Sequence, residues 1–235
     1  MAGTRLNSNM AWNSHPWRLV QLYIGLWLYG LGAALQVRAG LGLDPWDVFH
    51  QGVSRHVGLA IGTVLIIVGA IVLLAWIPLR QRPGLGTLSN VVLIGVSLNT
   101  SLQMLPTING IALRVTILAV GILLGGIATG MYIGANYGPG PRDGLMTGLA
   151  RRTGRSIRLV RTCLEVTVLI AGWVLGGTVG VGTVAYAVAI GPLAQIFLPI
   201  FATDRVRGER FAPSMSAIAP RGHAVAGQSE AAEGC

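Results

Sequence analysis

Two stretches carry the residue types from which a site could be built, and they are versions of one another. Residues 42–58 read GLDPWDVFHQGVSRHVG and residues 138–154 read GPGPRDGLMTGLARRTG. Pro45 and Pro141 suit a first helical position, where the missing N–H costs nothing and the ring sets a helical φ. Asp47 and Asp143 then fall at the third helical position, beside the free amides and the positive end of the dipole, and Asp44 can cap the first copy. Gly58 and Gly154 stand where a left-handed residue ends a helix. The spacing predicts a helix of about twelve residues, roughly 18 Å, in each copy.

A helix that short does not span a bilayer. It either lies at the interface or re-enters the protein interior, and the apolar positions Val48, Phe49, Val53, Leu145, Met146 and Leu149 suit both. In the re-entrant case the two N-termini face a central site from opposite leaflets. The Gly138–Asp143 turn with Arg142 could then receive an anionic group at an inner mouth. Asp47 and Asp143 compete for the same donors, which weighs against an anion site.

Other polar residues are fewer and more ambiguous. Glu165 lies within an apolar run, where a carboxylate suggests function, but Arg161 is four residues earlier and forms an i,i+4 pair near the membrane edge. Asn90, Asn99 and Gln103 share one run. Asn99 and Gln195 each follow a repeated glycine by four residues, so they are candidates for lining a solute path at matched depth or for binding helices together. The four histidines and two cysteines show no metal spacing, and no nucleophile–base arrangement or HExxH appears. Neither a catalytic residue set nor a cofactor is expected, and the chain does not read as an enzyme.

The elements that must position these residues follow from composition. The chain has 235 residues, 52% hydrophobic and only 11% charged, with 17 basic residues, all Arg, against 8 acidic. A water-facing domain is about a quarter charged. Six nearly uncharged runs, near 17–37, 61–79, 85–106, 113–134, 160–178 and 181–202, could each cross a hydrocarbon core of about 30 Å. The first exceeds a signal-peptide core and reads as a retained span. Tyr23, Trp27, Tyr29, Trp76, Tyr132 and Tyr137 fall near the expected interfaces, as an aromatic belt would.

An internal repeat organises the runs. Residues 42–95 match residues 138–191 without a gap at 18 of 54 positions, including Pro45/Pro141, Asp47/Asp143, Gly52/Gly148, Arg55/Arg151 and Gly58/Gly154. Three spans per copy oblige the second copy to enter inverted. Charge agrees: with the N-terminus inside, twelve arginines fall in inner segments up to Arg210, with Arg221 further along the tail, and they include Arg151, Arg152, Arg155 and Arg158 of one basic loop. Three fall outside, Arg38, Arg55 and Arg114, as the positive-inside rule requires. This distribution accounts for the net charge of +9 without a nucleic-acid partner.

The expected fold is therefore an all-α polytopic transmembrane bundle of six spans in two inverted three-span repeats, each with a short interfacial or re-entrant helix. Its parts are an N-terminal cytoplasmic segment (1–16), a first repeat (17–110), a second repeat (111–202) and a disordered cytoplasmic tail (203–235).

The stretches GLGLDPWDVFHQGVSRHVGLAIGT and YIGANYGPGPRDGLMTGLARRTGRSIRLVR resemble the YczE/YyaS/YitT group of bacterial integral membrane proteins, over most of the chain from Leu22 to about Pro199. The first copy has Trp46 where the second has Arg142. The resemblance implies a multi-pass protein of the bacterial cell membrane and supplies no residue roles. The functional expectation is a secondary transporter or facilitator of a small solute, with Asn99, Gln195 and Arg142 at the path. The alternative is an accessory or scaffold protein whose basic loop meets anionic lipid or a membrane or cytoplasmic protein partner.

Overall fold

The computed structural model describes residues 15–202. Of the expected terminal segments 1–16 and 203–235, residues 1–14 and 203–235 lie outside the described residues, and residues 15 and 16 already belong to the first helix. Eight helices follow one another: α1 (His15–Ala39), α2 (Pro45–Val57), α3 (Ile61–Trp76), α4 (Leu85–Met104), α5 (Ile111–Gly134), α6 (Pro141–Thr153), α7 (Ile157–Val174) and α8 (Val181–Phe201).

Local chemistry sets the ends of the short helices. In α2 the Asp44 carboxylate accepts the Asp47 amide at 2.9 Å, Pro45 opens the first turn, and Gly58 closes the last at φ 70° with its N–H donating to the Ser54 carbonyl. In α6 Pro141 opens and Gly154 closes at φ 65°, but Gly140 replaces the capping aspartate. The second helix start is held from outside instead: Trp76 Nε1 donates to the Pro141 carbonyl at 3.0 Å and Thr87 Oγ1 to the Pro139 carbonyl at 2.8 Å.

The two halves repeat in backbone conformation as well as in sequence. Left-handed residues come in pairs 96 apart: Gly40/Asn136, Gly42/Gly138, Gly58/Gly154 and Arg80/Gly176. Gly110, at φ 95°, has no counterpart among the described residues and sits at the joint between the halves.

Contacts between the halves are reciprocal. The Gly182 amide donates to the Leu41 carbonyl and the Gly86 amide to the Tyr137 carbonyl, and both residues of each pair exchange under the same offset. Arg18, early in α1, donates to the Ala135 and Asn136 carbonyls at the end of α5, while Arg114, early in α5, donates to the Ala39 and Gly40 carbonyls at the end of α1. The equivalent helices α1 and α5 therefore run antiparallel, each satisfying the open carbonyls of the other. Gly32 and Gly121 allow this approach, since a Cβ on either would stand 2.8 Å from the other's carbonyl oxygen. Likewise α2 packs on α7, and α6 on α3.

These guanidinium caps are testable. Arg18 is buried, 8% exposed, and also stacks over the Tyr137 ring at 4.9 Å. Arg18→Gln should cost about 2 kcal/mol, the loss of charge-assisted hydrogen bonds with carbonyls left unsatisfied, and the half-buried Arg114→Gln less. Thermal unfolding in one detergent would give the order, and a harmless Arg18→Gln would remove the cap from the stability account.

Helices α1, α4, α5 and α8 are each long and apolar enough to cross a membrane. Helices α2 and α3 pass only as a pair bent by 111°, as one broken span or a re-entrant loop. The count is thus four to five on length and composition, where six runs were expected. At 16 residues α3 reaches only about 24 Å. The 18-residue α7 carries Arg158, Arg161 and Glu165. Large apolar side chains stand exposed around the outside, among them Leu74, Trp173, Val184 and Val188, as a lipid-facing surface requires. The architecture is that of a multi-pass membrane protein.

The halves differ in one packing detail. Gly62 and Gly95 bring α3 and α4 together so closely that a Cβ on Gly62 would stand 2.1 Å from the Gly95 carbonyl oxygen. In the second half Arg158 replaces Gly62, and a Cβ on Gly191 would meet nothing within 4 Å.

Candidate functional site

The first turns of α2 and α6 meet beside a partly open cavity of about 70 Å³. Asp44, Trp46, Asp47 and His50 line it from the first half, and Gly140, Pro141, Arg142 and Asp143 from the second. Tyr29 of α1, Asn90 of α4 and Tyr132 of α5 complete the polar wall, while Leu65, Val68, Val72, Val91 and Ile94 make an apolar one.

Charge is concentrated on the polar wall. Arg142 Nη1 lies 3.9 Å from Asp44 Oδ2, with the carboxylate side chain 4% and the guanidinium side chain 28% exposed. The partners come from different halves, and at 3.9 Å they attract without forming a close hydrogen bond. Arg142 Nη2 donates to the Tyr29 hydroxyl, which pairs with the Tyr186 hydroxyl at 3.2 Å, and the guanidinium also lies 5.8 Å from the Tyr29 ring centre. Tyr132 donates its hydroxyl to Asp143 Oδ2 at 3.2 Å, and its ring stands edge-on to Tyr29.

Asp47 Oδ1 meets His50 Nδ1 at 3.1 Å, both side chains buried. An ionised Asp47 places the imidazole proton on Nδ1, so the aspartate orients the ring as well as serving its own helix start. Trp46 is 7% exposed, and its indole Nε1 is buried with no hydrogen-bond partner among the described residues. Buried donors are almost always paired, so this one is an exception, on a residue that lines the cavity.

Among the residues singled out from sequence, the structure brings Arg142, Pro141, Asp47 and Asp143 to this cavity, with Pro45 opening the α2 turn that carries Asp44 and Asp47. It does not bring Asn99 and Gln195 there. The Asn99 amide is used between helices: Oδ1 accepts the Gly62 amide at 2.9 Å and Nδ2 donates to Thr63 Oγ1 at 3.2 Å. Gln195 is exposed on α8. Matching depth in two copies did not mean matching surroundings, because α4 packs on α3 closely while the Gly191 face of α8 stands open.

The remaining candidates lie at the periphery. Arg151, Arg152, Arg155 and Arg158 are exposed around the end of α6, with Arg152 Nη1 donating to the Pro78 carbonyl. Arg161 donates to Glu165 at 3.0 Å on an exposed face of α7. Among the described residues no group of three or more His, Cys, Asp or Glu is placed to hold a metal.

Sequence reasoning placed Tyr29, Tyr132 and Trp76 in an interfacial belt, and the structure corrects this: Tyr29 and Tyr132 line the cavity, and Trp76 is fully buried against α6. A usable signal was present in the repeat. At cavity positions the copies disagree, with Asp44 against Gly140, Trp46 against Arg142, Tyr29 against Gly125, Gln36 against Tyr132 and Asn90 against Tyr186.

Residues 16–199 match the model of a family of unknown function, DUF6198. The chain is 39% identical to an uncharacterized protein of Haemophilus influenzae over 191 residues, covering 81% of this chain and 88% of the relative. It is 35% identical to the uncharacterized membrane protein YczE of Bacillus subtilis, covering 75% and 83% respectively. It is 26% identical to the uncharacterized protein YyaS of the same organism, covering 75% and 90%. No solved structure matches the chain.

Proposed function

The chain belongs to DUF6198, a family of unknown function, and from that premise we propose that it is a secondary transporter or facilitator that passes a small solute through the cavity between its two short helices. The observation that carries the reading is the ion pair of Asp44 and Arg142, one partner from each half, beside a partly open cavity at two converging helix starts. Discontinuous helices that end on a buried polar site between repeats suit a binding site reached from either side. The protein makes and breaks no covalent bond in this reading.

The same reading takes the chain as six spans in two inverted halves, with α2 and α6 re-entrant and both termini cytoplasmic. The antiparallel α1–α5 pair and its reciprocal arginine caps support the inversion. So does the surplus of arginine in the inner segments. A second reading, an accessory or scaffold protein without transport, is favoured by the exposed Arg151, Arg152, Arg155 and Arg158.

Two measurements test the proposal. Single cysteines at His56 and Arg152, positions equivalent under the repeat, should label from opposite sides of the membrane, and labelling from one side overturns the inversion. Protein in liposomes should accelerate equilibration of at least one member of a panel of labelled small solutes. No acceleration across charged, zwitterionic and neutral members leaves the accessory reading.

A further inference from the structure

We infer that the cavity is built for a small zwitterion, a molecule bearing both a carboxylate and an ammonium group on a compact apolar body. The inference rests on the reading of this cavity as a solute site and adds the chemical class of the solute.

Three observations lead there. The first is the loose pair itself: Arg142 Nη1 and Asp44 Oδ2 are 3.9 Å apart, so opposite charges are presented side by side without being consumed by a close contact. A ligand carboxylate on Arg142 and a ligand ammonium on Asp44 would turn one distant pair into two close, charge-assisted ones.

The second is Trp46. It holds the position in α2 that Arg142 holds in α6, it lines the same cavity, and its buried indole N–H has no partner among the described residues. A hydrogen-bond donor with nothing to donate to, at the position equivalent to a guanidinium, calls for an oxygen acceptor, and a carboxylate has two oxygens to share between them.

The third is how the other charges are engaged, together with shape. Asp47 pairs with His50 and Asp143 accepts the Tyr132 hydroxyl at its helix start, so Asp44 and Arg142 are the charged groups on the wall whose mutual contact is loose. A carboxylate alone would bring a further negative charge to a wall that already holds Asp44, Asp47 and Asp143, and an ammonium alone would compete with Arg142 for Asp44, whereas a zwitterion adds no net charge. The wall of Leu65, Val68 and Val72 opposes the charged one and suits a methyl-sized body in a space of about 70 Å³.

The test uses the full-length protein in lipid nanodiscs and three isosteric probes read by calorimetry: L-alanine, its amide, which keeps only the ammonium, and isobutyrate, which keeps only the carboxylate. L-alanine should bind about tenfold or more tighter than either, the effect of one lost charged hydrogen-bond pair. Trp46→Phe should weaken L-alanine about threefold to tenfold while leaving the amide, which has no carboxylate to accept the indole N–H, unchanged, with the melting temperature lowered by the smaller buried ring. Arg142→Gln should remove the preference for L-alanine over the amide.

Equal binding of a singly charged probe overturns the inference, as does no binding of any probe or an unchanged affinity in Trp46→Phe. Liposome flux separates this from the transport reading. L-alanine that binds but is not carried ends transport and leaves the ligand class standing. Flux of another solute that L-alanine does not inhibit ends the ligand class and leaves transport standing.

Discussion

Gly144→Val should destabilise the second short helix, and removing the opposing indole should then cost much less than it costs in the parent chain. A Cβ at Gly144 would lie 2.0 Å from Trp76 Cζ2, and Trp76 is itself 2% exposed, so its ring has nowhere to withdraw. The repeat shows the other solution to the same contact. Positions 76 and 144 correspond to 172 and 48, which hold Gly172 and Val48, so the large residue has changed sides while the junction between a long and a short helix persists.

Gly144→Val alone should cost about 3 kcal/mol or more by overpacking. Trp76→Gly alone should cost about 3–5 kcal/mol through the void and the lost bond to the Pro141 carbonyl. The double variant recreates the pairing of the other half and should recover about 2–3 kcal/mol of the summed loss. The cycle is read by thermal unfolding in nanodiscs. Strictly additive losses would mean that the two junctions are not equivalent solutions of one contact.

How much of this was readable beforehand depended on how local the cause is. The starts and ends of α2 and α6 were legible because Asp44, Pro45, Pro141, Gly58 and Gly154 act within one turn of themselves. The long helices were legible from apolar length, with boundaries within a few residues of those observed, but four or five of them, not six, are long and apolar enough to cross a membrane. The face a polar residue turns was not legible. Asn99 and Gln195 share a register in the repeat, yet one is consumed between α3 and α4 and the other is exposed, because the small residue at position 62 that draws α3 onto α4 is Arg158 in the second copy. Tyr29 and Tyr132 read as interfacial since tyrosine suits any place with one wet and one dry side, and a partly open polar cavity is such a place as much as a headgroup layer.

Differences between the copies were therefore more informative about the site than their agreements. Agreement at Pro45/Pro141 and Asp47/Asp143 preserves helix starts, a structural need common to both halves. Disagreement at Asp44/Gly140 and Trp46/Arg142 leaves a single pairing of a carboxylate from one half with a guanidinium from the other, where a perfectly symmetric duplication would make two.

That asymmetry leads to the second expectation, in which stability and flux part company. Asp44→Asn should leave Arg142 without its neighbouring carboxylate, and Arg142→Gln should leave Asp44 without its cation. Each should cost about 3 kcal/mol, the lower end for breaking a buried pair, because the Arg142 side chain is 28% exposed and water recovers part of its charge. The carboxamide introduced by Asp44→Asn retains a side-chain oxygen for the Asp47 amide, so the helix start survives the first substitution.

In the double variant Asp44→Asn, Arg142→Gln neither charge is stranded, and replacing an entire ion pair by neutral groups is often close to neutral for folding. Its stability should return to within about 1 kcal/mol of the starting protein on that ground. Solute flux should not return, because both charges that a solute would meet are gone. Flux restored together with stability would show that the pair only holds the halves together, and the path would then have to be sought elsewhere in the bundle.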